Sequence, residues 1–284
     1  MAESYALHEG EYGRTVVLEL KDDLVAHAHA EPQIVFWLGG ARSDARVCGT
    51  VVEYSENTAL GSNPYESHDA RLLDDSGPAI FLCFYISKTW LDKLRADTGR
   101  SFYFKSPKVP INDTLRRACW RVLDIVVSPH HERRDHVSEE VERLISAAID
   151  ATFAPASDNG ISATAPVLDH RVRAAIAYMR EHVSDPVAID EVAGKVGLSR
   201  AQFFVLFREQ LNTTPQVFWS AVKVEEAIRR LVQKEEPLTS VAFDLGFSTP
   251  GNFSRFFKDH MGVTPSHYRK VSSGPNQYPV TGVL

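Results

Sequence analysis

The chain has 284 residues, 44% of them hydrophobic and 24% charged, with a net charge of −6. No apolar run approaches the roughly 20 residues of a membrane span, and the acidic start MAESYALHEGEYGR lacks the basic end and apolar block of a signal peptide, so a cytoplasmic protein is expected. Three scattered cysteines, Cys48, Cys83 and Cys119, make neither a disulfide framework nor a zinc-binding spacing.

At roughly 150 residues per domain, the length suggests two domains. Residues 16–86 favour strands. The runs VVLEL, QIVFWL, RVCGTVVEY and AIFLCFYI are rich in β-branched and aromatic residues, with Gly, Asp, Asn and Pro clusters between them. From about 89 to 151 the period becomes helical. Leu115, Ala118, Cys119, Val122 and Val126 fall at three- and four-residue spacing, as do Val141, Leu144, Ile145 and Ile149. The two stripes offer more apolar surface than one small β unit needs, so a homodimer formed through residues 91–151 is expected. TFAPASDNGISATAP, Thr152 to Pro166, has no apolar period and reads as a linker. The expected division is therefore a domain over 1–152, a linker over 153–166, an all-helical domain over 167–271 and a tail over 272–284. Charge is uneven across it: residues 167–271 hold 14 Lys and Arg against 12 Asp and Glu, and residues 1–166 hold 17 against 25.

The helical domain repeats itself. AGKVGLSRAQFFVLFREQLNTTP, from Ala193, has a twin in AFDLGFSTPGNFSRFFKDHMGVTP, from Ala242. Ala193 and Ala242 are small enough for two helices to cross closely. Gly197 and Gly246 stand where a helix must stop and reverse, a left-handed position that costs glycine little. Ser199 can cap the next helix; in the second copy one extra residue lets Thr249 cap, with Pro250 at the first helical position. Phe203 and Phe207, and Phe253 and Phe257, lie four apart and anchor each second helix. This is helix-turn-helix grammar, written twice and joined by the long run QVFWSAVKVEEAIRRLV.

On these residues, 168–270 resembles the DNA-binding domain of the AraC/XylS family of bacterial transcription regulators. The resemblance implies two recognition helices from one chain in adjacent major-groove segments, about 34 Å apart on one face of double-stranded operator DNA. It points to helices over about 200–210 and 250–260. Arg200, Ala201, Gln202, Phe204 and Val205 are the groove-facing candidates of the first, and Asn252, Ser254 and Arg255 those of the second. Arg255 falls where the family carries a helix arginine, and arginine can grip guanine O6 and N7 together. Ser199, Arg208, Thr214, Thr249, Lys258 and Ser266 are candidate phosphate contacts, which position without specifying.

The N-terminal run places His27 and His29 one residue apart, then Gln33, then His68. It resembles the cupin-like effector domain often found before this DNA-binding domain, which implies a β-barrel with an interior ligand site and an overall α+β, two-domain chain (barrel about 14–88, helices about 89–151). His27, His29, Gln33, Trp37 and His68 are the candidate effector contacts for a small molecule. Metal-binding cupins carry a glutamate near Gln33; glutamine replaces it poorly, so a metal-free polar pocket with no cofactor is expected. The expected function is a ligand-responsive transcription regulator, not an enzyme and not membrane-bound, with RNA polymerase as a further candidate partner. Two alternatives remain open: a cupin-type metal-dependent enzyme fused to a DNA-binding module, and a DNA-repair methyl acceptor, which needs the cysteine cluster this chain lacks.

Overall fold

The computed structural model describes residues 2–98, 103–127, 137–152, 168–232 and 236–272. The strands β1 (Ala2–Gly10), β2 (Gly13–Leu20), β3 (Leu24–His27), β4 (Gln33–Gly40), β5 (Ser43–Val47), β6 (Thr50–Glu53), β7 (Thr58–Ser62), β8 (His68–Leu72) and β9 (Ala79–Ile86) come first. They are followed by α1 (Lys88–Thr98), β10 (Lys108–Pro110), α2 (Asp113–Val127) and α3 (Val137–Thr152). Every ladder is antiparallel, in a six-stranded sheet ordered β1-β2-β9-β4-β7-β10 and a four-stranded sheet ordered β3-β8-β5-β6. Among the described residues no ladder joins the two. The β unit is therefore a pair of sheets and not a closed barrel. The chain passes from one sheet to the other over residues 28–32, where Pro32 has no N–H to extend a ladder.

The six-stranded sheet is buried on both faces, which is why its central strands read as unbroken apolar runs. Successive side chains alternate faces. On β9, Leu82, Phe84 and Ile86 join the core under α2 and α3, while Phe81, Cys83 and Tyr85 face the other way, toward the four-stranded sheet. The stripe residues Leu115, Ala118, Cys119, Val122, Val126, Val141, Leu144 and Ile145 are all buried within the chain against that first face. The apolar surplus that motivated a dimer through 91–151 is thus consumed by a sheet larger than sequence reading allowed; Ile149 has no described side chain. The expected linker lies outside the described residues, as does the tail beyond Ser272, where α10 ends.

The second domain is helical: α4 (His170–Glu181), α5 (Ile189–Lys195), α6 (Arg200–Leu211), α7 (Pro215–Val232), α8 (Leu238–Asp244), α9 (Pro250–Met261) and α10 (Pro265–Ser272). Its core is continuous with the inner core of the β domain.

Candidate nucleic-acid interface and histidine cluster

The two helix-turn-helix units are built from matching parts. Ala193 and Ala242 are buried where α5 meets α6 and α8 meets α9. Each alanine carbonyl accepts a bond across its turn, from Leu198 N and Phe247 N, both at 3.0 Å. Gly197 and Gly246 turn the chain at φ 72° and 80°. Ser199 caps α6 in a reciprocal box: its Oγ accepts from Gln202 N at 3.3 Å, and its own N–H donates to Gln202 Oε1 at 3.1 Å. Thr249 caps α9, its Oγ1 accepting from Asn252 N at 3.1 Å.

The match holds to the ends of both copies and continues past Pro215 and Pro265. The recognition helices end on left-handed caps fifty residues apart, Asn212 at φ 53° and Gly262 at φ 71°. Thr214 then caps α7, accepting from Val217 N, and Thr264 caps α10, accepting from His267 N, both at 3.3 Å. Ser266, a candidate phosphate contact, sits inside the first turn of α10. Aromatic pairs repeat as well: Phe207 meets Phe218 at 5.3 Å between centroids, and Phe257 meets Tyr268 at 5.6 Å. Threonine before proline was the signal for the caps; the aromatic pairing needed the fold.

On α6, Ala201, Gln202, Val205 and Arg208 are exposed, Val205 to 58%, and Phe204 is half-buried. Gln202 is engaged in the capping box. Arg200 pairs with Asp190, and its guanidinium lies 5.1 Å from the Phe204 ring centroid. On α9, Asn252 and Arg255 are exposed and Ser254 and Lys258 are half-buried. Asn252 Nδ2 donates to Ser248 Oγ at 2.9 Å. Among the described residues no hydrogen bond or ion pair holds Arg255, so its five donors are available.

The β domain docks on the same positions of both units. Cys48 Sγ reaches the Asn212 carbonyl at 3.6 Å, and Leu18 packs so close to Gly262 that a Cβ there would come within 2.7 Å of it. The Tyr65 ring lies 4.5 Å from Phe218, its hydroxyl donates to Glu225 at 3.1 Å, and Arg180 donates to that hydroxyl. Tyr268, the counterpart of Phe218, donates to Glu9. The C-terminal ends of α6 and α9 thus face the β domain, and their exposed N-terminal residues lie clear of it. Arg208 and Thr214 border the groove beside Arg46 and Cys48.

Inside the β domain the structure brings together His27, His29, Gln33 and His68, all buried. The His27 ring lies 4.9 Å from His29 and 4.4 Å from His68, and Gln33 Nε2 is 2.7 Å from His68 Nε2. Burial holds His27 and His29 well below the usual imidazole range and lowers His68 to about 4. All three are therefore neutral at pH 7. Trp37 does not join them: it sits farther along β4, its indole N–H donating to the Ala41 carbonyl at 3.1 Å. Sequence reading missed a fourth member. His260, at the end of α9, lies 6.1 Å from His27 across the domain boundary.

These features define a tandem helix-turn-helix domain docked on a double-sheet β domain. Residues 192–271 match a family described as a helix-turn-helix domain. The C-terminal domain of this chain is thus a helix-turn-helix domain. The raffinose operon transcriptional regulatory protein RafR of Pediococcus pentosaceus is 32% identical over 96 residues, covering 34% of this chain and 35% of that one. The transcriptional regulator ArgR of Pseudomonas aeruginosa is 27% identical over 107 residues, covering 38% and 32%. The chain thus spans about a third of the length of these curated relatives. For fold, ToxT from Vibrio cholerae superposes with a TM-score of 0.55 at 12% identity, over 95% of this chain and all of that one. No described helix is long and apolar enough to cross a membrane.

Proposed function

We propose that the chain is a ligand-responsive, sequence-specific DNA-binding transcription regulator. Residues 167–271 read double-stranded DNA, and residues 1–152 hold the effector site and fasten onto the reader. The observation that carries this reading is the paired geometry of α6 and α9: matched caps, matched anchors, and groove-facing residues left exposed while the β domain is docked. Arg255 is the chief base contact. Val205 supplies an apolar surface suited to a thymine methyl, and Lys258 and Arg208 meet phosphates. Gln202 and Asn252, held by their caps, contribute less than an arginine. Among the described residues of 91–151, Trp120, 52% exposed on α2, and Tyr103, 37% exposed, are the large hydrophobic side chains on which a homodimer contact can be built.

His27, His29, Gln33 and His68 form the effector site. The metal-dependent enzyme alternative has the histidines in its favour but not the space. The cavity beside His27, Gln33 and His68 measures about 50 Å³, where sites for small organic molecules occupy roughly 300–1,000 Å³. The methyl-acceptor alternative has no support: Cys83 and Cys119 are buried in different cores and Cys48 stands apart at the surface. Selection of random duplexes by the full chain tests the regulator reading. Two enriched segments one helical turn apart, about 10 base pairs, are expected from each chain. Recovery of a single segment, or of none, would refute it.

A further inference from the structure

The buried histidines are arranged as metal ligands. His27 Nδ1 is 2.9 Å from the Val25 carbonyl, His68 Nδ1 is 2.9 Å from the Glu66 carbonyl, and His260 Nδ1 is 2.8 Å from the Phe256 carbonyl. A carbonyl only accepts, so each of these nitrogens carries the proton and each Nε2 keeps its lone pair. Fixing one ring nitrogen on a carbonyl while the other binds metal is the usual support of a ligating histidine. Among the described residues neither ring nitrogen of His29 has a hydrogen-bond partner, although both are buried. An orphaned polar pair inside a core is costly unless something occupies it.

The distances suit an ion. One ligand atom from each of His27, His29 and His68 lies within 4.8 Å of the others. Imidazoles bound tetrahedrally at about 2.0–2.1 Å hold their ring centroids about 5 Å apart; the three centroid distances here are 4.9, 4.4 and 5.3 Å. The His260 centroid, at 6.1 Å from His27, is about 1 Å beyond that spacing. The cavity that His27, Gln33 and His68 border, about 50 Å³, is too small for a sugar-sized molecule. Gln33 donates to His68 Nε2 when no ion is bound, and rotation of its amide presents Oε1 instead. The counterpart of His260 in the first unit is Gln210, which is engaged with Asp169 N at 3.0 Å. Only the second unit therefore offers a side chain to the cluster.

We propose that His27, His29 and His68, completed by His260 from the DNA-binding domain, bind one divalent transition-metal ion of the zinc, cobalt or nickel type, and that this ion is the effector. An all-imidazole set selects such borderline ions over magnesium or calcium. Because His260 lies on the recognition helix α9, the bound ion ties the second helix-turn-helix unit to the β domain. The ion's regulatory consequence rests on the regulator reading above; the binding itself does not.

The test uses the full-length chain stripped by chelator and titrated with Co²⁺, read by calorimetry and by the visible absorption of the bound ion. One ion per chain is expected. H29Q and H68Q should each abolish stoichiometric uptake, with circular dichroism checking that each variant remains folded. H260Q should keep one ion, bound at least about 10-fold more weakly, since even a lost outer partner costs 10–100-fold, and with an altered spectrum. Hydrogen exchange over residues 258–263 should slow on metal addition in the wild type and not in H260Q. No stoichiometric uptake, or uptake unchanged in folded H29Q and H68Q, would overturn the site. Equal affinity, spectrum and exchange in H260Q would overturn the tie between domains. A separate duplex-binding assay keeps the two readings apart: failure to bind any DNA sinks the regulator and leaves the metal titration intact.

Discussion

The two helix-turn-helix units share a skeleton and differ in what they present. Turn glycines, N-caps, left-handed C-caps, threonine-proline starts and aromatic pairs recur at offsets of 49 or 50 residues. At the groove-facing positions Val205 stands opposite Arg255 and Phe204 opposite Ser254, and toward the β domain Gln210 stands opposite His260. The skeleton answers to packing and backbone geometry, which tolerate little change. The presented residues answer to what each unit must touch.

If the skeletons are equivalent, equivalent cuts should cost the same. Phe207→Ala and Phe257→Ala each remove a fully buried ring and should each destabilise by about 3–5 kcal/mol, measured by urea denaturation of the full chain. A gap of several kcal/mol between them would break the equivalence. The β domain should add an acid sensitivity of its own. An unfolded imidazole titrates near 6.5, while in the folded, metal-free chain burial holds His68 at about 4 and His27 and His29 lower than usual. The unfolded chain then binds more protons, so stability is full above about pH 6.5 and is lost as pH falls toward 4. Melting temperatures across that window check the slope, which should flatten in H68Q.

A smaller asymmetry lies at Arg230, which joins α7 to the second unit only. Its Nε donates to Glu236 at 2.7 Å and its Nη2 to Asp244 at 2.5 Å. Arg230→Ala should cost about 1–3 kcal/mol by unpairing these groups, with exchange increasing around α8 and not α5. Least of all, Ser199→Ala and Thr249→Ala should cost about 1 kcal/mol each, read from the same denaturation curves.

Much of the skeleton was legible in sequence because turn chemistry is local. Glycine at a reversal, and serine or threonine before a helix, announce themselves. The β domain was less legible. In the six-stranded sheet, β7 has five residues and β10 three, too short for alternation to register. Without them the sheet looked small, and the helical stripes that cover it looked surplus. The histidine spacing was visible, but Trp37 was drawn in only as an aromatic near it in the sequence, and His260 was missed because its partners lie more than 190 residues away. Contacts between domains leave no periodic trace.

The contrast between Arg255 and Val205 is settled by one set of binding isotherms. Wild type, Arg255→Ala and Val205→Ala are compared on a selected operator and its single-base variants, at several salt concentrations. Arg255→Ala should lose about 1–3 kcal/mol and relax preference at one base pair, while Val205→Ala loses much less. Lys258→Ala, as a phosphate control, should weaken every sequence alike and lower the salt slope by about one. If Arg255→Ala instead weakened all variants equally, Arg255 would be a phosphate clamp, and the second unit would not read bases through it.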